Sequence, residues 1–442
     1  MEQSSKAWGL NRAPSLAQPD QNPVGNVVLW LGRTCSKVQR RFDQVRRLWK
    51  MNGGRHVLNR MRSALADQLA PITPPMPVRP CDVLASDLTV TRVWPSLPFQ
   101  VDQPLVVNWI TTPPVAGSGG HTTTFRMIKH LQQSGNHCRV YFYDVYGGAM
   151  KHHETQMREL FPWFAGEVSD VTTGMADAHA VVATSWQTAY PANNDACRGK
   201  RFYLVQDFEP WFYPPGGRSE LAENTYHMGF HAITAGRFLA GKLQAEYGMA
   251  ADAFEFGCDA EKYHLLNGHE PRDGVVFYAR PETPRRAFEL GLMALQIFAE
   301  RHPHLKIHFY GCPIGKLPFL SFPFIDHGVL APGELNRIYN RCFAGLSLSM
   351  TNVSLVPHEM LAAGCIPVVN EAQHNRIVLN NPFVRYAASN PHALANALSE
   401  VVVTKNFAAL SESASASVSP ISWQAAGIAF EQSIRRALGD QD

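Results

Sequence analysis

No Cys-x-x-Cys pair occurs among the eight cysteines, which stand singly at 35, 81, 138, 197, 258, 312, 342 and 365. Paired thiolates at that spacing are what a structural zinc site needs, so such a site is not expected. Lone cysteines in a long chain fit a reducing, cytosolic setting. No apolar run of about 18 residues is present, so no membrane-spanning helix is expected. The first twenty residues, MEQSSKAWGLNRAPSLAQPD, lack the apolar segment of a secretory signal. No Asp-x-Asp pair follows a strand-like run, so no divalent metal and no cofactor is expected. The glycine-rich AGSGGH (116–121) is not Gly-x-Gly-x-x-Gly, so a dinucleotide fingerprint is unsupported. No repeat of 20–50 residues is evident.

The chain does have enough hydrophobic substance to fold. Its 442 residues are 45% hydrophobic and 17% charged, which is more than one ordinary core and points to two domains. The net charge of +3 is unevenly spread. Residues 33–62 carry ten Lys or Arg against the single acid Asp43, a local +9 that leaves −6 elsewhere. Within them, 36–50 spaces Val38, Phe42, Val45 and Trp49 along one helical face. Three readings stay open for that basic helix. It lies on an anionic membrane surface, it packs on the rest of the chain or a partner, or it binds nucleic acid. The last has no reader module behind it, so no nucleic-acid partner is expected. Five prolines in APITPPMPVRPC (70–81) read as a stiff linker.

From about residue 100, strand-like runs alternate with helical ones: 105–112, 137–144, 178–185, 201–207 and 231–236. After HEPRDG (269–274) the alternation restarts at 274–280, 305–311, 343–349, 365–369 and 384–388. Such alternation means parallel, doubly wound α/β sheets. The expected boundaries are an extension over 1–82, a first Rossmann-like domain over 83–265 and a second over 266–415. A final amphipathic helix within 416–442 would pack back on the first domain. Ligands in such sheets bind beyond the carboxyl ends of the strands, so polar residues just past strand ends are the candidates.

In the second half, Arg280 ends a strand and Arg285 and Arg286 open the next helix. Clustered guanidinium groups there suit a diphosphate, which they can grip bidentately; the plain alternative is a solvated charge. Pro357 fits the first position of a helix, and the backbone N–H groups of Ser354 and Leu355 near its start suit a phosphate. Glu359 either complements that helix dipole or accepts hydrogen bonds from two ribose hydroxyls. In the first half, Gly119 and Gly120 allow positive φ and close backbone approach, or simply make a tight turn. His121 at the helix start is a sugar contact or a cap. Asp207 and Glu209 follow a strand beside Phe208, Trp211, Phe212 and Tyr213, which suits a sugar site; helix capping or a surface turn is the alternative.

These residues carry a resemblance. Ala279-Arg280, Arg285, the pair Thr351 and Glu359 with seven residues between them, and GCIPVV (364–369) resemble the nucleotide-sugar half of GT-B glycosyltransferases of the retaining family four. That family has Glu-x7-Glu; here Thr351 replaces the first Glu. In the first half SGGHTTTFRMIKHL (118–131), YLVQDFEPWFYPPG (203–216), ENTYHMGFHAITAGRFLAGKL (223–243) and FEFGCDAEKY (254–263) resemble bacterial rhamnosyltransferases of the WsaF type, over roughly 100–400. FGCDAEKY (256–263) sits where family four has its hinge turn.

The resemblance implies two Rossmann-like domains facing a cleft. It implies a retaining transferase moving a deoxyhexose, L-rhamnose favoured, from a dTDP-sugar to a surface polysaccharide or lipid-linked glycan. The donor would be held by Arg280, Arg285, Arg286, Ser354, Leu355, Glu359, Gly119 and Gly120. Asp207, Glu209 and His121 would stand at the reacting centre. The expected place is the cytoplasm, with peripheral contact at the inner face of the membrane through 36–50. The rivals are a nucleotide-sugar epimerase of the same architecture and a non-catalytic glycan-binding scaffold.

Overall fold

The computed structural model describes residue 65 and residues 76–266, 271–315, 317 and 320–439. The basic helix expected over 36–50, and most of the proline-rich linker, lie outside the described residues. Two all-parallel sheets organise the rest. The first comprises β1 (Val106–Thr111), β2 (His137–Phe142), β3 (Val168–Asp170), β4 (Ala180–Ala183), β5 (Lys200–Val205), β6 (His231–Ala235) and β7 (Ala251–Phe254), ordered β3-β2-β1-β4-β5-β6-β7. The second comprises β8 (Gly274–Tyr278), β9 (Lys306–Tyr310), β10 (Ile325–Asp326), β11 (Cys342–Leu346), β12 (Ile366–Asn370) and β13 (Arg385–Ala387), ordered β10-β9-β8-β11-β12-β13.

The strands are apolar on both faces because helices cover both faces. Val107, Trp109 and Ile110 of β1 and Val275, Val276 and Phe277 of β8 are fully buried. The order reverses between β1 and β4 in the first sheet and between β8 and β11 in the second. A crevice opens past the carboxyl ends at each reversal, and loops from the two lobes meet there.

The helices include α1 (Gly119–Gln133), α2 (Trp186–Asn194), α3 (Val356–Ala362) and α4 (Trp423–Gly439). The α4 helix returns to the first lobe. Its Phe430 stacks on Trp109 at 5.4 Å, Glu431 pairs with His130 at 3.2 Å, and Arg436 pairs with Asp252 at 2.6 Å. Gly427 lets the two helices touch, since a Cβ there would meet the His130 ring at 2.4 Å. The first lobe begins before the boundary expected at residue 83. Val78 is buried, the Arg79 N–H donates to Tyr143 Oη at 2.7 Å, and Tyr143 donates to Asp82 at 2.7 Å. Local polarity hid this, because the segment is anchored by hydrogen bonds rather than by an apolar run. Among the described residues no helix is long and apolar enough to cross a membrane.

Candidate active site

At the end of β8 the chain turns through a short 3-10 helix, Pro284–Arg286, and this turn gathers the arginines. Burial lowers the pKa of Arg286, the charges of Arg285 and Arg280 lower it further, and Asp207 opposes them. The three cations are therefore close neighbours with one acid between the lobes to offset them. Arg280 leans toward β9, its Nη1 3.4 Å from the Gly311 carbonyl. Arg285 lies over the Phe212 ring at 4.2 Å, and its Nε stands 3.6 Å from Asp207 Oδ2. Arg285 Nε and Arg286 Nη1 are buried without a hydrogen-bond partner, as are Ser354 Oγ and Asn352 Oδ1. Buried donors on a cation rarely stay unmatched, which makes this face the candidate for an anion with acceptor oxygens.

Asp207 comes from the opposite lobe, past the end of β5. Thr351 Oγ1 donates to its Oδ2 at 3.0 Å, and the N–H groups of Asn352 and Phe208 donate to Oδ1 at 2.8 and 2.9 Å. Burial raises its pKa; the charges of Arg285 and Arg286 and the hydrogen bonds from Asn352 and Thr351 pull the other way. Asn352 adds its own clasp. Its Nδ2 donates to the carbonyls of Gln206 at 2.9 Å and Ala235 at 3.0 Å, both in the first lobe. Sequence reasoning missed Asn352. Its signal was slight, a lone amide in a loop whose partners are more than a hundred residues away.

Gly119 and Gly120 are the first residues of α1, next to Gln206, whose Nε2 donates to the Gly120 carbonyl at 3.2 Å. The positive φ expected of them falls instead on Gly117, at 75°. No heavy atom would meet a Cβ on Gly119 within 4 Å, so that side of the helix start is open.

Two of the three residues expected at the reacting centre are engaged within the first lobe. Glu209 turns inward: its Oε2 accepts the Trp186 N–H at the start of α2 at 2.5 Å and the Tyr203 hydroxyl at 2.7 Å. It caps a helix inside the first lobe, and the charges of Asp207 and Arg285 still act on it. His121 has both ring nitrogens engaged, Nε2 with Thr112 Oγ1 at 3.1 Å and Nδ1 with Ser118 Oγ at 2.9 Å. Burial lowers its pKa, so it stays neutral and fixes the turn into α1.

Glu359, on α3, lies in a second group rather than among the arginines. Burial raises its pKa to about 7, while the charge of Arg126 and a hydrogen bond from Tyr339 resist the rise. Tyr310 and Tyr339 share a 2.6 Å hydrogen bond, so Tyr310 donates when Tyr339 donates to Glu359. Arg126, from α1, pairs with Asp259 and stacks on Trp423 at 4.1 Å. The donor residues expected from the sequence thus fall into two groups, cations at the β8 turn and an acid beside Arg126 and Asp259. Ser354 and Leu355 lead into α3. Among the described residues, no group of three or more His, Cys, Asp or Glu is arranged to hold a metal ion.

The burial of Glu209 has a measurable consequence. Its pKa is raised to about 7 by burial, against the hydrogen bonds from Tyr203 and Trp186. The folded chain therefore keeps a proton that the unfolded chain has already lost. The associated stability is present below the ordinary carboxylate pKa and disappears as pH rises through about 7. Thermal melts should show the wild type losing more stability than Glu209→Gln between about pH 5 and about pH 8. The amide keeps one acceptor oxygen for Trp186 and cannot ionise.

Two facing parallel sheets with a ligand crevice between them define the GT-B class of architecture. Residues 273–399, the heart of the second lobe, match the family model described as WsaF, C-terminal domain. Over 206 residues the chain is 34% identical to the O-antigen biosynthesis protein RfbC of Myxococcus xanthus. That match covers 45% of this chain and 16% of RfbC, so the chain corresponds to a small part of that relative. The crystal structure of Anabaena Alr3699/HepE in complex with UDP and glucose superposes with a TM-score of 0.57 at 13% identity, covering 76% of this chain and 99% of that one. The crystal structure of TarM superposes with a TM-score of 0.61 at 8% identity, covering 76% and 100%. At such identities the likeness is one of fold.

Proposed function

We propose that the chain is a glycosyltransferase of polysaccharide biosynthesis that takes its sugar from a nucleotide diphosphate. The observation that carries this reading is the set of buried, unmatched donors on Arg285 and Arg286 at the strand-end crevice. HepE, solved with UDP and glucose, has the same architecture, and RfbC is described as an O-antigen biosynthesis protein. Arg285 and Arg286, with Arg280 at longer range, hold the diphosphate, and Glu359 holds the ribose. The sugar's C1–O bond to the diphosphate breaks, and a new C1–O bond forms to an acceptor hydroxyl. The hydroxyl proton leaves with the diphosphate, so no side-chain base is required. Fixed cations stabilise the charge that grows on the leaving diphosphate, a term that needs no reorganisation at the moment of reaction. Closure of the lobes keeps water from the activated sugar.

The finer reading is L-rhamnose from dTDP-L-rhamnose, with retention at C1 and a surface or lipid-linked glycan as acceptor. It rests on the WsaF-type strings of the first lobe. Peripheral contact with an anionic inner leaflet through 36–50 belongs to the same reading. The test is incubation with dTDP-L-rhamnose or UDP-glucose, with and without a rhamnan fragment. Acceptor-dependent release of the nucleotide diphosphate is expected. Acceptor-independent conversion of the sugar would make the chain an epimerase, and binding without turnover would make it a scaffold.

Glu359 makes the binding step pH-dependent. The hydroxyls of the nucleotide's pentose, two in UDP and the 3′-hydroxyl alone in dTDP, donate best to an ionised carboxylate, and in the free protein burial holds that proton up to about pH 7. Sugar-nucleotide affinity should therefore rise as pH climbs through 7. Near pH 7 binding should release a fraction of a proton, measurable by calorimetry in buffers of different ionisation enthalpy. Glu359→Gln should bind more weakly and show neither effect.

A further inference from the structure

Thr351 stands where the resemblance calls for a carboxylate, and its hydroxyl is 3.0 Å from Asp207 Oδ2. A glutamate at 351 would press a second carboxylate against Asp207. The acid at this point arrives from the other lobe. Its carboxylate is aimed with care. Oδ1 is filled by the N–H groups of Asn352 and Phe208. Oδ2 takes only the Thr351 hydroxyl, with Arg285 Nε at 3.6 Å, beyond hydrogen-bond range. A carboxylate oxygen accepts about two hydrogen bonds, so Oδ2 keeps acceptor capacity beside the cation that would hold a diphosphate.

We propose that Asp207 is the sugar-gripping acid of the donor site, supplied across the crevice to the place that Thr351 leaves without a carboxylate. Oδ2 accepts a hydroxyl of the donor's sugar ring next to the phosphate on Arg285. Thr351 and Asn352 of the second lobe hold Asp207 in place, so this grip exists only while the lobes are together. A bare nucleotide diphosphate lacks the transferred sugar and its hydroxyls, so it does not use the grip. The donor is thus distinguished from its own by-product by the residue that reports closure. This rests on the nucleotide-sugar reading above.

The test moves the carboxylate. The probes are dTDP and dTDP-L-rhamnose, with UDP and UDP-glucose in parallel, and the readout is the ratio of sugar-nucleotide to nucleotide affinity. Asp207→Asn should lower that ratio about tenfold or more, the loss of one hydrogen bond to a charged acceptor. Its affinity for the bare diphosphate should hold or improve, because Arg285 loses a competing anion. Thr351→Glu alone should lower the ratio too, through repulsion at Asp207. The exchange variant, Asp207→Ser with Thr351→Glu, should restore it to within about threefold. Thr351→Val, which removes only the positioning hydroxyl, should show a smaller fall in the same direction and needs no rearrangement to fold. The proposal is overturned if Asp207→Asn leaves the ratio unchanged or weakens both ligands equally. It is also overturned if the exchange variant folds, as judged by its melting curve, without recovering the ratio. A wild-type protein that binds none of the four probes removes the nucleotide-sugar reading itself, a different result from any of these.

Discussion

Arg286→Met should lower acceptor-dependent turnover by about 100- to 1000-fold, the usual consequence of removing one preorganised charge-stabilising donor from a reacting centre. The melting temperature should hold or rise. Both halves follow from one arrangement. Arg286 is an arginine whose pKa burial lowers, with Arg280 and Arg285 adding like charge. Its Nη1 has no hydrogen-bond partner. A buried cation in that position costs folding free energy, and an apolar side chain of similar length removes the cost. On the function proposed above a diphosphate would supply acceptor oxygens, so the cost would be recovered when donor binds. Melting curves with and without dTDP check the idea directly: nucleotide should stabilise the wild type and leave Arg286→Met almost unshifted. Arg286→Lys should rescue little, because an ammonium cannot place two parallel donors on a diphosphate. A Met variant that is both inactive and markedly less stable would mean that Arg286 is a packing residue.

The same turn shows how far sequence reasoning reaches. All ten strands expected from apolar runs are present, from Val106–Thr111 to Arg385–Ala387. A strand buried on both faces must be apolar along its length, and that can be read locally. The three strands without such a signal are Val168–Asp170, Ala251–Phe254 and Ile325–Asp326. They lie at the edges of their sheets, where one neighbour suffices and polar residues are tolerated. Past the strand ends, residue type was legible and direction was not. Asp207 and Glu209 are two residues apart on one turn, yet one meets the second lobe and the other caps α2 within its own. What separates them is the Trp186 N–H, 23 residues upstream, and the Asn352 N–H, 145 residues downstream. No local pattern encodes such distant partners. The partners of His121, a residue read as a sugar contact or a cap, are also set by the fold: Thr112 and Ser118 take both its nitrogens.

Asn352→Asp should be the most damaging single substitution outside the arginines, and worse than Asn352→Ala. The Asn352 amide donates to two first-lobe carbonyls, of Gln206 and Ala235, while its own N–H donates to Asp207. Removing the side chain deletes two hydrogen bonds that span the lobes. At about 1 kcal/mol or more each, that weakens closure by roughly 10- to 100-fold. Aspartate does more, because it turns a donor into an acceptor facing two carbonyl oxygens and adds negative charge beside Asp207. Each lobe keeps its sheet, so the far-ultraviolet circular dichroism should barely change. The radius of gyration from solution scattering should increase and become less responsive to donor. KM for donor should rise about tenfold or more for alanine and further for aspartate. Hydrolysis of the donor should gain on transfer, because an open crevice admits water to the activated sugar. Lowering the pH should partly rescue the aspartate variant and not the alanine one, since a protonated carboxyl can again donate to one of the two carbonyls. If scattering shows both variants as closed as the wild type, Asn352 orders its own loop and the lobes are held by other contacts.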